Sequence, residues 1–187
     1  MRVHDKKAST FPLTYDDYAL LPQDRNRYEI LEGELYMTPS PLLIHQVVLI
    51  RLALILTVYE IERQLGLVLV APMDVLLSEF NIVQPDITFI HRSKVPPFTA
   101  KNLVVVPDLV VEILSPGSIE QDRTHKKRIY ARHGVPHNWI VDPEGRTFDV
   151  YVLEGSEYRL AASFAGNDSA VSPLFPDLQI PLANLWA

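Results

Sequence analysis

The sequence contains no cysteine. Disulfides, thiolate zinc sites and cysteine nucleophiles are therefore excluded, and a reducing compartment is permitted without being required. A long uninterrupted apolar run is also missing. The most apolar stretch, residues 42–65, is broken by His45, Gln46, Arg51, Glu60, Glu62 and Arg63, whereas a membrane span needs about 20 nearly continuous apolar residues. The first ten residues are charged and polar and hold no apolar core of signal-peptide type. There is no internal repeat and no low-complexity segment. Nor is there a surplus of positive charge: 17 Lys and Arg stand against 23 Asp and Glu, a formal net charge of −6. That balance speaks against a dedicated high-affinity nucleic-acid binder, which carries a footprint of Lys and Arg. Together these absences lead to the expectation of a soluble, cytoplasmic protein that makes no membrane contact.

What is present fits one folded unit. A chain of 187 residues suits a single domain and can bury roughly 70% of its unfolded surface. Hydrophobic residues at 48% and charged residues at 21% are ordinary for a globular protein. The basic residues are uneven: Arg123, Lys126, Lys127, Arg128 and Arg132 supply five of the 17 within a short stretch, with Asp122 the acid beside them.

The chain then reads as a series of elements. Thr14 is an N-cap, with Asp16 and Asp17 in the first turn of a short helix reaching about residue 21. Residues 28–37 are strand, Gly33, strand. Ser40 caps and Pro41 begins the longest helix, residues 42–64, which Gly66 ends. Its apolar residues cover more than one face, so it is a core helix or also a dimer contact. Strands are expected at 67–71, 74–77, 81–90 and 103–114, and the Leu109-Val110-Val111 run predicts a strand buried on both faces. A helix over 120–133 ends at Gly134 and Pro136. A strand over 137–141 follows, then a hairpin, 147–153 and 158–164, around Glu154-Gly155. The tail is loop-rich, with Pro173, Pro176 and Pro181. The pattern is α/β or α+β: a mixed sheet, one long early helix and one basic helix after the central strand.

Two acids stand out. Asp86 follows Pro85 within a strand-like run, and Glu112 lies between Val110-Val111 and Ile113-Leu114 in the most apolar strand. Acids are seldom buried without a partner or a metal. Paired carboxylates on neighbouring strands are what a magnesium phosphodiesterase needs, because magnesium prefers hard oxygen ligands and keeps several waters. Asp108 shares a strand face with Glu112, but four residues at ~3.3 Å each put them roughly 13 Å apart, too far to share one ion. Arg123, Lys126, Lys127 and Tyr130 are spaced to share one broad helix face. A lysine there could orient an attacking water or stabilise negative charge. The plainer readings are a turn acid at Asp86, an acid paired with a structural cation at Glu112, and a solvated surface helix.

The arrangement resembles a known family. Tyr28-Glu29-Ile30-Leu31-Glu32-Gly33-Glu34-Leu35, Ser40-Pro41 with His45, and Gln84-Pro85-Asp86 carry the likeness. So do Pro107-Asp108-Leu109-Val110-Val111-Glu112-Ile113-Leu114-Ser115-Pro116, Asp122-Arg123, Lys126, Tyr130, Gly134-Val135-Pro136 and Trp139-Ile140-Val141-Asp142-Pro143. Over about residues 15–185 they resemble the Uma-type "putative restriction endonuclease" family of the PD-(D/E)xK nuclease superfamily. The resemblance implies a restriction-endonuclease-like central mixed β-sheet flanked by helices, with an added N-terminal hairpin and C-terminal β-strands, in one nuclease-like domain over residues 1–187. It implies a Mg2+ or Mn2+ site and DNA as substrate, and the apolar helix 42–64 adds the expectation of a homodimer. Asp86 and Glu112 match the family's acids, and Glu29 matches a glutamate that reaches the metal from the N-terminal region. Ile113 is a further candidate metal ligand. The lysine usual two positions after the glutamate is replaced by Leu114, and Lys126 on the next helix matches the displaced lysine, with Lys127 as the fallback. His45 matches a family histidine near the phosphate, and it reads equally as a hydrogen-bonded core histidine. Gln84, Arg123, Lys127 and Tyr130 are further substrate-binding candidates. His137-Asn138 stands where the family often has Glu-Tyr. The resulting expectation is a metal-dependent endonuclease, with catalytic residues Asp86, Glu112, Lys126 and Glu29. The alternatives are an inactive nuclease fold serving as a DNA-binding or assembly module, and a structural oligomer joined through helix 42–64.

Overall fold

The computed structural model describes residues 11–22, 24, 26–38, 40–117 and 121–186. Helix α1 (Tyr15–Ala19) starts at Thr14, whose N–H and hydroxyl both donate to Asp17 Oδ2 at 2.8 and 2.9 Å. A hairpin follows, β1 (Arg27–Leu31) and β2 (Glu34–Thr38), paired antiparallel from Arg27–Thr38 to Leu31–Glu34. The long helix α2 (Leu43–Arg63) takes Leu42 as its N-cap, not Ser40. Its C-cap is Gln64 in the left-handed region, φ 52°. Gly66 therefore does not end the helix. It opens β3 (Gly66–Val70), where an added Cβ would lie 2.0 Å from the carbonyl oxygen of Ile90 on the next strand of that sheet.

Residues 81–90 do not form one strand. They divide into β5 (Asn81–Val83), which pairs with β4 (Val75–Ser78), and β6 (Ile87–His91), which pairs with β3. The break falls at Gln84-Pro85-Asp86. Pro85 has no N–H to donate to a ladder, so the strand ends and restarts in a different sheet. The expected strand over 103–114 is likewise shorter. Pro107 lies inside it, and only β7 (Leu109–Ile113) is regular, with all five residues buried. After β7, residues 121–126 wind as a π-helical turn (Gln121–Lys126) that runs into α3 (Lys127–Arg132). Residue 120, the expected start of this helix, lies outside the described residues. Strands β8 (His137–Asp142), β9 (Thr147–Glu154) and β10 (Glu157–Ala165) complete the main sheet. The tail, expected to be mostly loop, is a hairpin of β11 (Ser169–Ser172) and β12 (Phe175–Pro181). Pro176 and Pro181 sit at exposed positions of β12, while Phe175, Leu178 and Ile180 point into the core.

Among the described residues the main sheet runs β10-β9-β8-β7-β6-β3, with β7 and β8 parallel and the other pairs antiparallel. A smaller sheet runs β2-β1-β5-β4. The two faces of β7 explain the layers. Val111 and Ile113 pack with Val48, Leu52 and Leu56 of α2, with Ile87 and with Trp139. Val110 on the opposite face packs with Ile129 and Tyr130 of α3, with Ile90 and with Leu31 of the smaller sheet. The architecture is a mixed α+β fold with a central sheet between helices, as expected. By length and composition α2 could cross a membrane. Yet His45, Val48, Leu49, Leu52, Leu56 and Tyr59 are buried within the fold, which is how a core helix behaves.

Candidate active site

Alternation along β7 sends Glu112 to the same side as Val110, away from α2 and towards α3. Glu112 is 2% exposed. The turn before α3 closes over it with Asp122, Lys126 and Tyr130 on its inward face, an i, i+4, i+8 series. The Tyr130 hydroxyl donates to Glu112 Oε1. The Lys126 ammonium lies 3.3 Å from Glu112 Oε1, 3.4 Å from Asp122 Oδ1 and 2.9 Å from Glu29 Oε1. Glu29 comes from β1, where its Oε1 also accepts the Gln84 N–H at 2.7 Å. That N–H is free of any ladder because the strand breaks at Pro85.

The same break aims Asp86. Its Oδ2 accepts the Ile113 N–H at 2.8 Å and meets His45 Nε2 at 3.2 Å. Its Oδ1 lies 3.5 Å from the Arg27 guanidinium. Residues from β1, α2, the break before β6, β7 and the π-helical turn thus border one small, narrow cleft.

Burial sets the electrostatics. It pushes the Asp86 carboxyl up, but the His45 hydrogen bond and charge, the Ile113 N–H and Arg27 outweigh it and hold Asp86 below the usual carboxylate range. Burial also acts on Glu112, and here the Lys126 charge fails to offset it. Asp122, Asp86 and Glu29 add to the push, so Glu112 titrates well above its ordinary value. Lys126 is opposed by its own burial, yet Glu112, Glu29, Asp122 and Asp86 hold its ammonium well above the usual lysine range. One cation is shared among several acids, and the acid crowded most is the one pushed furthest upward.

The other expected residues are placed differently. Asp108 pairs with Lys94 at 2.8 Å, outside the cleft. Lys127 does not share a face with Lys126, since successive residues turn about 100° around a helix, and Arg123 turns to β8 and β9 instead of into the cleft. Arg123 pairs with Asp142 at 3.2 Å and Asp149 at 3.7 Å, and the Lys127 ammonium lies 3.4 Å over the Tyr151 ring. Burial holds Lys127 below the usual lysine range. The Gln84 side chain is committed to Asp74 at 2.7 Å and to Arg27 at 3.2 Å. Tyr130 is fully buried beneath Glu112. Of the five substrate-binding candidates, His45 alone borders the cleft. Asp122 and Arg27 also border the cleft, beyond the expected site residues. Both carried a signal: Asp122 lies one turn before Lys126, and Arg27 lies two residues before Glu29, on the same face of β1.

The model of the Uma2 family, described as "Putative restriction endonuclease", matches residues 15–183. The chain belongs to this family. The crystal structure of "a putative nuclease belonging to DUF820" from Anabaena variabilis ATCC 29413 superposes with a TM-score of 0.80 at 21% identity, covering 94% of this chain and 98% of that one. At that identity the likeness shows the fold. No curated protein matches the chain. Uma2 membership makes the chain nuclease-like, and the residues that carried the sequence resemblance lie within the matched span.

Proposed function

We propose that this Uma2 protein is a metal-dependent endonuclease that hydrolyses DNA phosphodiester bonds in the cytoplasm. The observation that carries this reading is the convergence of Glu29, Asp86 and Glu112 on one cleft with the Lys126 ammonium among them. The donor chemistry suits Mg2+ or Mn2+. The acids are hard oxygen donors, and no thiolate is available to favour a softer ion. Among the described residues no three acids or histidines stand as a ready coordination shell. The acids instead surround an ammonium. Asp86, Glu112 and Glu29 would hold the ion, and Ile113 could add only its carbonyl. A bound divalent ion supplies charge for the phosphate and a more acidic water.

The chain's own groups do the rest. The Ile113 N–H and His45 fix the Asp86 carboxylate in one orientation. Arg27, at the edge of the cleft and 23% exposed, can hold a non-bridging phosphate oxygen. Lys126 orients a water or faces the charge that grows on the phosphate. Water adds across one P–O bond, leaving a phosphate monoester and a hydroxyl. Plasmid and single-stranded DNA incubated with Mg2+ or Mn2+ should be cleaved. Cleavage that continues unchanged in Asp86→Ala and Glu112→Ala removes the proposal.

One observation favours a second reading, an inactive fold that binds DNA or assembles. The acids of the cleft already have a cation in Lys126. Calorimetry decides between the two: Mn2+ binding that is lost in Asp86→Ala counts against the inactive fold.

A further inference from the structure

Five large apolar side chains of α2 face away from the fold. Leu43, Ile50, Leu54, Val58 and Ile61 are 82, 64, 62, 48 and 65% exposed. At about 100° per residue, Leu43, Ile50, Leu54 and Ile61 fall within roughly 20° of a single line along the helix. With a rise of 1.5 Å per residue the line is about 27 Å long. The buried His45, Val48, Leu52 and Leu56 occupy the other side.

We propose that this stripe is a two-fold interface, on which α2 of a second copy of the chain lies antiparallel. The inference is independent of the nuclease chemistry. A two-fold contact needs a patch that complements itself. Turned about Leu52, this one does: Leu43 meets Ile61 of the second copy and Ile50 meets its Leu54. A parallel pairing would instead stack each residue on its own copy.

The charges agree. Every charged side chain of α2 is turned off the line or tied within its own chain. Arg51 donates to the carbonyl of Trp186 at 3.0 Å, and Glu60 accepts the Gly66 N–H at 3.2 Å. Arg63 lies 4.0 Å over the Tyr59 ring and pairs with Glu62 at 3.3 Å. Antiparallel pairing sets no like charges opposite each other.

The area is also of the right size. The five side chains offer roughly 500 Å² of apolar surface, at the upper end of what a monomer leaves bare. A stable dimer buries about 800 Å² per partner, and Gln46, Val47 and Thr57 flank the line to extend it. Two other occupants fit less well. Residues 1–10 include Arg2, Asp5, Lys6 and Lys7, a poor complement to an uncharged stripe. A bilayer crossing would require α2 to leave the core it fills.

The test uses the full chain. Light scattering after size exclusion, at micromolar concentration, should give twice the chain mass. Ile50→Lys and Leu54→Glu should each give monomers with unchanged circular dichroism, and their melting should no longer depend on protein concentration. Mixing these two variants should restore a dimer, because Lys at position 50 of one then meets Glu at position 54 of the other. Since the chain has no cysteine of its own, Leu43→Cys/Ile61→Cys should cross-link on oxidation while Leu43→Cys alone should not. A monomeric native chain overturns the proposal. So does a dimer that survives both charge substitutions, a cross-link through Leu43→Cys alone, or a chain that is monomeric in solution and floats with lipid vesicles.

Discussion

Lys126 and Glu29, held 2.9 Å apart, join the turn before α3 to the first strand of the smaller sheet, and both side chains are almost wholly shielded from water. The pair ties the cleft's two walls together. It also means that the cleft is assembled by the packing of two sheets and a helix rather than by one local motif.

Replacing Lys126 with Met should therefore cost stability before it costs anything else. Glu29, Glu112 and Asp122 would lose their buried cation, and breaking such a pair costs about 3–5 kcal/mol. Urea unfolding without metal should show that loss. Adding Mn2+ should recover part of it, and the variant should bind Mn2+ more tightly than the native chain because no ammonium competes. Equal or weaker Mn2+ binding in Lys126→Met would sink the competition argument.

Glu112 makes a pH prediction of definite sign. Its folded-state value is raised, so its contribution is present below the unfolded value of about 4.3 and is lost as pH rises through the folded one. The native chain should lose stability relative to Glu112→Gln as pH climbs from the ordinary carboxylate range towards the raised value. Asp86 runs the other way. Its lowered value adds stability above the unfolded value of about 3.9, lost as pH falls through the folded one. Denaturant titrations over a pH series check both, and a pH-independent gap between native and Glu112→Gln refutes the first.

Glu32 is the anchor of the basic cluster. It holds His125 at 2.9 Å, Arg128 at 2.7 Å and Arg132 at 2.6 Å. His125, joined by both arginines against a smaller push from burial, brings its carboxyl down to about 2. Glu32→Gln should free positive charge for phosphates. DNA affinity should rise and its logarithmic salt slope should steepen by roughly 1–3, at about 0.9 per phosphate contact. Stability should change by no more than about 1 kcal/mol, as for exposed pairs. Filter binding at several salt concentrations measures the slope, and an unchanged slope means these cations do not face DNA.

Gly66→Ala tests the close approach of β3 and β6. The new methyl would sit 2.0 Å from the Ile90 carbonyl oxygen, a backbone atom that cannot rotate aside. A loss of about 1–3 kcal/mol is expected, as for overpacking. A melting temperature equal to the native one would show that the strands can move apart freely.

The sequence made most of the layer order legible. Continuous apolar character at Leu109-Val110-Val111 marks a strand covered on both faces, and β7 is one. The preference for Asp86 over Asp108 needed only the rise of a strand, and Asp108 indeed turns to Lys94. Element ends were harder. Pro85 and Pro107 interrupt runs that apolar pattern alone would continue, and the pattern does not say that β5 and β6 part into separate sheets. The basic helix was misread for a different reason. A single broad face drawn through Arg123, Lys126, Lys127 and Tyr130 ignores the 100° turn between neighbours: Lys126 is buried, whereas Lys127 lies on Tyr151. Asp122 stood out only as the acid beside a basic run and as part of the Asp122-Arg123 pair, not as a site residue. Its place one turn before Lys126 was the signal to follow.

The enclosed ammonium of Lys126 also bears on the order in which the molecule is assembled. In many small metal proteins the ion completes the fold, so a chain starved of metal stays unfolded. Here the countercharge is part of the polypeptide and arrives with the helix that carries it. The acids of the cleft thus have a partner before any ion arrives. A divalent ion entering later would evict a resident group from a finished structure, so that ion supply would govern readiness for chemistry and leave survival of the fold untouched.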